Sequence, residues 1–149
     1  MRTKVGHSFI KQVMADTGAV FGGEHSAHYY FARNYRADSG LVATMLVMDE
    51  LSRADQELSI VRKPFERYSQ SGEINTQVAD VTAVLDHVRA AMAGAAQDEL
   101  DGLSVDWGSW WFNLRPSNTE PLLRLNLEAE SRDECDAHVV ELLALITSV

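Results

Sequence analysis

The sequence predicts two folds in succession, a partial α/β domain and then a complete α+β domain. The second half orders its predicted strands and helices as β-α-β-β-β-α, which is enough to cover its own sheet. The first half opens with a helix that leads directly into a short apolar strand, and no first strand precedes it. We therefore expect that the chain is the C-terminal piece of a longer protein, or that its first segment, about 55 residues, needs a partner that completes its sheet.

Composition and charge narrow the class of protein. A chain of 149 residues with 46% hydrophobic and 23% charged side chains is typical of one or two globular domains. The net charge of −9 disfavours nucleic acids and anionic membranes as partners. One cysteine cannot form an intramolecular disulfide, and the longest apolar run, 41–48, is shorter than the ~20 residues of a membrane span. We expect a soluble, cytoplasmic protein.

The first half is predicted to contain two helices and two strands. Apolar residues at helical spacing predict a helix over 6–17, with Gly18 as its C-cap. A short buried strand is predicted at 19–21 and an aromatic-rich strand at 28–31. Residues 41–51 are apolar almost all round, which predicts a helix that is buried on both sides.

The second half is predicted to follow a polar linker over 54–70. Asp80 is placed to cap one helix, and Ser131 with Glu134 forms a capping box for the last helix. The predicted elements are a strand at 74–78, a helix ending at Gly94, strands at 103–107, 110–114 and 123–127, and the helix after Ser131.

The loop at 22–28 is the first candidate site. Glu24, Ser26 and His28 alternate, so an extended backbone would place their side chains on one face. A carboxylate beside a hydroxyl and an imidazole suits the binding of a polyol. The alternative is a β-turn whose polar side chains are only solvated. Three histidines in this half also raise a zinc site, but no pair has helical ligand spacing, and we predict no metal site.

The loop at 115–121 is the second candidate site. Arg115 provides a guanidinium, Ser117 and Thr119 provide hydroxyls, and Asn118 provides an amide. Together with free backbone N–H groups, these donors suit a phosphate dianion. The alternative is an ordinary connection between two strands.

Both loops resemble motifs of the phosphomannomutase/phosphoglucomutase family, the α-D-phosphohexomutases. Residues 23–28 (Gly-Glu-His-Ser-Ala-His) resemble its sugar-recognition loop Gly-Glu-x-Ser-Gly-His. Residues 115–121 resemble its phosphate-binding loop Arg-x-Ser-x-Thr-Glu-Pro. Residues 3–7 resemble the segment before the sugar loop, and 70–75 the start of the family's last domain. These matches run in family order along essentially the whole chain.

The resemblance implies a domain organisation and a set of roles. Residues 1–58 would be the C-terminal part of domain three, and 59–149 would be domain four, whose fold resembles the TATA-binding protein. In that family the substrates are mannose or glucose 1- and 6-phosphates, and hexose 1,6-bisphosphate is the activator. The implied roles are hexose-hydroxyl binding by Glu24 and Ser26, proximity to the reacting phosphoryl group for His7 and His28, and binding of the other phosphate by Arg115, Ser117, Asn118 and Thr119.

The chain departs from the family pattern in two ways. Ala27 replaces the usual glycine of the sugar loop, and His25 replaces a more usual methionine or glutamine. The family's phosphoserine loop and its aspartate loop for Mg²⁺ do not occur in the sequence. We therefore expect a C-terminal fragment of a phosphohexomutase that is inactive alone and whose partners are the missing N-terminal domains. The alternatives are a non-catalytic sugar-phosphate binding module and an interaction domain with vestigial loops.

Overall fold

The computed structural model describes residues 1–117 and 120–149. The chain divides into two compact units, Met1–Phe65 and Glu66–Val149. The assignment of 1–58 and 59–149 to the third and fourth family domains stays a prediction.

The first unit combines a small antiparallel sheet with helices. Gly18 follows the first helix with φ +69°, in the left-handed conformation, which confirms the predicted C-cap. The three strands pair in the order β1-β2-β3. The elements are α1 (His7–Thr17), β1 (Phe21–Gly23), β2 (Tyr29–Phe31), a 3₁₀ turn (Ala32–Asn34), β3 (Ala37–Asp38), α2 (Gly40–Ala54), α3 (Leu58–Val61) and a second 3₁₀ turn (Lys63–Phe65).

A small core joins α1 to the sheet of this unit. Ile10, Met14 and Tyr30 are its buried members. Gly22 allows the close approach, because a Cβ there would lie 3.0 Å from Ile10 Cγ2 and 3.2 Å from Met14 Sδ. The glycine in β1 therefore sets how closely α1 packs on the strand that leads into the first candidate loop.

Two predictions for the first unit are wrong. The predicted buried strand at 19–21 is instead Phe21–Gly23, and the Phe21 side chain is 52% exposed. Helix α2, predicted to be buried on both sides, contains no buried residue. An apolar helix becomes buried only where other helices or strands cover it. The described residues do not cover α2 in this way. The exposed large apolar side chains of α2 are Leu41, Met45, Leu46, Val47 and Met48.

The second unit is a sheet with helices on one face. The predicted order β-α-β-β-β-α is confirmed, with two short strands, β4 and β6 below, that the sequence did not predict. The prediction of a linker over 54–70 is wrong in part, because α3 and the first of these strands lie within it. The elements are β4 (Ser69–Gln70), β5 (Ile74–Gln77), α4 (Val81–Ala91), β6 (Ala96–Asp98), β7 (Leu103–Asp106), β8 (Trp110–Pro116), β9 (Leu122–Ala129) and α5 (Arg132–Ile146).

The sheet of the second unit is antiparallel in the order β4-β9-β8-β7-β6, and β5 also pairs with β9. Burial alternates along β9, as expected for a sheet with one covered face. The buried face packs with the inward sides of α4 and α5, and the other face carries polar side chains. The main buried residues are Val84, Val88, Leu103, Val105, Phe112, Leu114, Leu123, Leu125, Leu127, Cys135, Leu142 and Ile146.

Both predicted helix caps of this unit are confirmed. The Asp80 carboxylate accepts hydrogen bonds from the backbone N–H groups of Thr82 and Ala83. Ser131 and Glu134 form the reciprocal capping box at the start of α5. Among the described residues, no helix has both the length and the apolar composition to cross a membrane.

Candidate functional site

The first candidate site is a hydrogen-bonded cluster around the Glu24 carboxylate. The Gly6 N–H donates to Glu24 Oε1 at 3.0 Å, and the Ser26 hydroxyl donates to Oε2 at 3.1 Å. His28 Nδ1 lies 3.4 Å from the same Oε2 and 3.1 Å from Ser26 Oγ. The Glu24 side chain is 8% exposed, whereas that of His28 is 54% exposed. The carboxylate is thus fixed, and the imidazole is open to solvent.

The backbone brings these side chains together by a turn, as in the β-turn alternative, and not by an extended segment. The Glu24 N–H donates to the His28 carbonyl at 2.9 Å, and the Ala27 N–H donates to the Glu24 carbonyl at 3.0 Å. Ala27 has φ +64°, a conformation that glycine adopts at lower cost. This is the position at which the family motif has glycine, so the alanine keeps the turn in spite of its strain.

Tyr30 lies beside the Glu24 cluster, and no pattern in the sequence indicated this. Its ring is almost completely buried, and the negative charge of Glu24 acts on its hydroxyl. Burial, followed by the negative charge of Glu24, raises the pKa of Tyr30 above its ordinary value of 10.0. The Tyr30 hydroxyl is therefore protonated at neutral pH and adds no second negative charge to the cluster.

His7 lies at the first position of α1, directly after the Gly6 N–H that binds Glu24. Its side chain is exposed. The structure thus places the His7 backbone beside the cluster, next to the Gly6 N–H that binds Glu24.

The second candidate site centres on Arg115, which lies in a strand. The prediction of a loop arginine is wrong, because β8 continues to Pro116. In the ladder between β8 and β9, Arg115 is directly opposite Arg124. The two side chains, here called the arginine pair, share one counter-ion: Arg115 Nη2 lies 3.6 Å from Glu73 Oε2, and Arg124 Nη1 lies 3.2 Å from Glu73 Oε1.

Ser117 lies next to this arginine pair. Arg124 Nη2 donates to Ser117 Oγ at 3.5 Å, a long contact. The Ser117 N–H donates to the Leu122 carbonyl at 2.9 Å, so it is not one of the free backbone donors that the sequence predicted. Asn118 and Thr119 lie outside the described residues.

Arg124 is the residue of this site that sequence reasoning missed. Its guanidinium is partly exposed, and its Nε–H is buried without an acceptor among the described residues. The polar side chain interrupts a run of leucines in the last strand, at 123, 125 and 127. That alternation was the available signal, because it puts Arg124 on the face of the sheet opposite the helices.

Gly102 fixes the backbone at Arg115. It has φ +72°, and a Cβ added there would lie 2.6 Å from the Leu114 carbonyl oxygen and 2.7 Å from Arg115 Cα. Only glycine fits so close an approach between the turn before β7 and the strand β8. The position from which the Arg115 side chain starts is therefore set by packing.

The charges of the second site favour a multiply charged anion. Two guanidinium groups and one carboxylate leave a local excess of one positive charge on a chain whose net charge is −9. Guanidinium groups offer paired N–H donors that match the oxygens of phosphate. Phosphate binding is the chemistry that this arrangement supports best.

The Mg²⁺ that the family resemblance implies does not fit the described residues. Among them, no group of three or more histidine, cysteine, aspartate or glutamate side chains could hold a metal ion.

Comparison with protein families gives two matches that follow each other along the chain. Residues 1–68 match the model "Phosphoglucomutase/phosphomannomutase, alpha/beta/alpha domain III". Residues 73–145 match the model "Phosphoglucomutase/phosphomannomutase, C-terminal domain". Each candidate site falls within one of these ranges.

Individual relatives give the same result. A phosphomannomutase from Methanocaldococcus jannaschii is 39% identical over 149 residues, which are 100% of this chain and 33% of that protein. A phosphomannomutase from Salmonella montevideo is 41% identical over 98% of this chain and 33% of its own length. A crystal structure of a phosphoglucomutase/phosphomannomutase family protein from Burkholderia thailandensis is similar at a TM-score of 0.78 and 26% identity, covering 98% of this chain and 32% of that one. The chain spans about a third of the length of the curated relatives it matches.

Proposed function

The chain belongs to the phosphoglucomutase/phosphomannomutase family, and from that premise we propose that it supplies the sugar-recognition and phosphate-holding parts of a phosphohexomutase. The complete reaction would be an intramolecular phosphoryl transfer between hexose 1-phosphate and hexose 6-phosphate. The arginine pair is the observation that carries this proposal, because two guanidinium groups meet on one face of a sheet in the range that matches the family's C-terminal domain.

The arginine pair would hold the phosphate that is not being transferred. Arg115 and Arg124 offer N–H donors from two strands, and the Ser117 hydroxyl lies beside them. Charge-assisted hydrogen bonds of this kind are shorter and stronger than neutral ones. We include Asn118 and Thr119 in the proposed phosphate site because they belong to the same motif.

The Glu24 cluster would bind the sugar. Glu24 is held by the Gly6 N–H and by the Ser26 hydroxyl, so its orientation is set before a ligand arrives. A fixed carboxylate accepts hydrogen bonds from hexose hydroxyls without paying to order its own side chain. Ser26 would contribute its hydroxyl, and the exposed imidazole of His28, together with His7, would lie near the reacting phosphoryl group.

The remaining parts of the proposal concern partners and location. We propose that the phosphoryl donor and the Mg²⁺ site come from N-terminal domains of the kind that the longer relatives have. The protein would work in the cytoplasm, where hexose phosphates are substrates. Its single cysteine is a buried free thiol, and free thiols are typical of that reducing compartment. Without those domains the chain should bind hexose phosphate and show no mutase turnover.

NMR titration of the chain with glucose 6-phosphate, and in parallel with glucose, tests this function. The phosphate should shift the signals of Arg115 and Ser117, and glucose should not. Arg115→Ala should weaken phosphate binding by about ten- to a hundredfold, because a hydrogen bond to a charged group contributes ~1.5–3 kcal/mol. Arg115→Lys should recover part of that loss, since lysine keeps the charge without the planar fork.

Arg132→Ala is the matched control for Arg115→Ala. It removes an equal charge from the same unit, and its guanidinium contacts Asp136 and the Gln70 carbonyl at the start of α5. Its effect on phosphate binding should stay within about twofold. Equal losses in the two variants would mean that only net charge matters, and an Arg115→Ala chain that binds like wild type would refute the phosphate site.

A further inference from the structure

Glu73 contacts both guanidinium groups of the arginine pair, so its negative charge lies where it would act on a phosphate bound there. Its two carboxylate oxygens face different arginines, Oε2 towards Arg115 and Oε1 towards Arg124. The residue directly precedes β5, and it reaches both side chains across the neighbouring strand β9. The three side chains are all partly exposed, so a ligand from solvent can reach them.

The sheet register explains why a carboxylate is needed there. Arg115 and Arg124 are directly opposite each other on neighbouring antiparallel strands, where side chains are close. Two like charges in that relation repel and destabilise the ladder. A carboxylate between them removes most of this repulsion while no ligand is present.

The same carboxylate has the opposite effect once phosphate arrives. A phosphate dianion needs the N–H groups that Glu73 engages, Nη2 of Arg115 and Nη1 of Arg124. It is also repelled by the negative charge that remains a few ångströms away. We propose that Glu73 is an internal counter-ion that competes with phosphate for the arginine pair and so lowers the affinity of the site. This inference rests on the proposed function.

A competing counter-ion suits a site that has to release its phosphate. Two arginines without a carboxylate would hold a dianion through several charge-assisted hydrogen bonds, and dissociation would be slow. With Glu73 present, the carboxylate re-forms its contacts as the phosphate leaves. The free protein is thereby stabilised, and the complex is not.

The variant Glu73→Gln tests the competition, with inorganic phosphate as the probe at constant ionic strength. Phosphate binding is followed by the NMR signals of the Arg115 and Arg124 side chains in the whole chain. Removing the carboxylate should tighten phosphate binding by about three- to tenfold, as expected for losing one nearby unit charge that is partly screened by solvent.

Glu128→Gln is the matched control. Glu128 lies in β9 as Arg124 does, and its carboxylate accepts hydrogen bonds from Gln70 Nε2 at 3.0 Å and from Trp111 Nε1 at 3.1 Å. Its removal changes the net charge by the same amount, and phosphate affinity should change by less than about twofold. A second measurement needs no variant: phosphate should move the carboxyl ¹³C signal of Glu73 in the wild-type chain and leave that of Glu128 in place.

The outcomes separate the two proposals. If phosphate binds and Arg115→Ala weakens it, but Glu73→Gln leaves the affinity unchanged or reduces it, the competition is refuted and the phosphate site stands. The same conclusion follows if the Glu73 carboxyl signal does not respond to phosphate that binds. If phosphate shifts the NMR signal of neither Arg115 nor Arg124 in the wild-type chain, the proposed phosphate site and the proposed role of Glu73 are both refuted.

Discussion

Replacing Gly102 by alanine should damage both the stability of the second unit and its phosphate site. The new Cβ would lie 2.6 Å from the Leu114 carbonyl oxygen and 2.6 Å from Arg115 Cβ, so β8 has to move by close to an ångström or lose its pairing with β7. The backbone conformation at φ +72° adds a second cost, because an L-residue pays roughly 1–2 kcal/mol there.

The magnitude follows from these two contributions. Relieving overlaps in a packed region costs about 1–3 kcal/mol, so Gly102→Ala should lower the free energy of unfolding by about 2–5 kcal/mol in total. Gly108 is the matched control, because it has φ +88° and nothing within 4 Å of an added Cβ. Gly108→Ala should therefore cost only the conformational part, about 1–2 kcal/mol.

Denaturation followed by tryptophan fluorescence measures this difference in the right unit. All three tryptophans, Trp107, Trp110 and Trp111, lie in the second unit. Phosphate titration of the folded Gly102→Ala chain gives the second readout, and binding should weaken because Arg115 is displaced. Equal destabilisation by the two alanine substitutions would refute the close-approach argument, and so would unchanged phosphate binding in Gly102→Ala.

Two further predictions concern the first unit. Burial raises the pKa of Tyr30, so its hydroxyl stays protonated in the folded chain at a pH at which it already ionises in the unfolded chain. Its contribution to the free energy of unfolding is therefore complete below about pH 10 and is lost above it. In the variant Tyr30→Phe, the free energy of unfolding should fall less steeply as the pH rises above about 10. Urea unfolding followed by the amide signal of Ile10 measures this, and an equally steep fall in the variant would contradict the raised pKa of Tyr30. In hydrogen exchange, amides of α2 should exchange faster than those of β8, since α2 contains no buried residue whereas Phe112 and Leu114 are fully buried; equal protection would contradict this.

The sequence predicted the second unit well because local and long-range signals agree there. Asp80 and Ser131 mark the two helix starts by cap chemistry that depends only on neighbouring residues. The leucines of β9 alternate, and the same residues fill the core. The short strands β4 and β6 were missed because two or three residues are too few to show a period, and their pairing with β9 and β7 defines them.

The first unit shows where sequence reasoning fails. The composition of α2 predicted a helix buried on both sides, which is wrong, because burial depends on which layers surround the helix. The alternation of Glu24, Ser26 and His28 suggested an extended segment, whereas backbone hydrogen bonds close a turn that gathers the same side chains. The three side chains do lie together, and the geometry that joins them depends on the pairing between β1 and β2; their role as a binding site stays a prediction.

Arg124 could have been found from the sequence by solving the register of the last hairpin. Phe112 and Leu114 must face the same core as Leu125 and Leu127, and an antiparallel ladder that places Leu114 opposite Leu125 necessarily places Arg115 opposite Arg124. The hydrophobic alternation of two strands thus fixes a polar pair on the other face. What the ladder does not contain is Glu73, because it lies outside the hairpin and reaches the pair only through the association of β5 with β9. The two arginines of the proposed phosphate site were therefore predictable from the sequence, whereas the contact of Glu73 with them became visible only in the folded sheet.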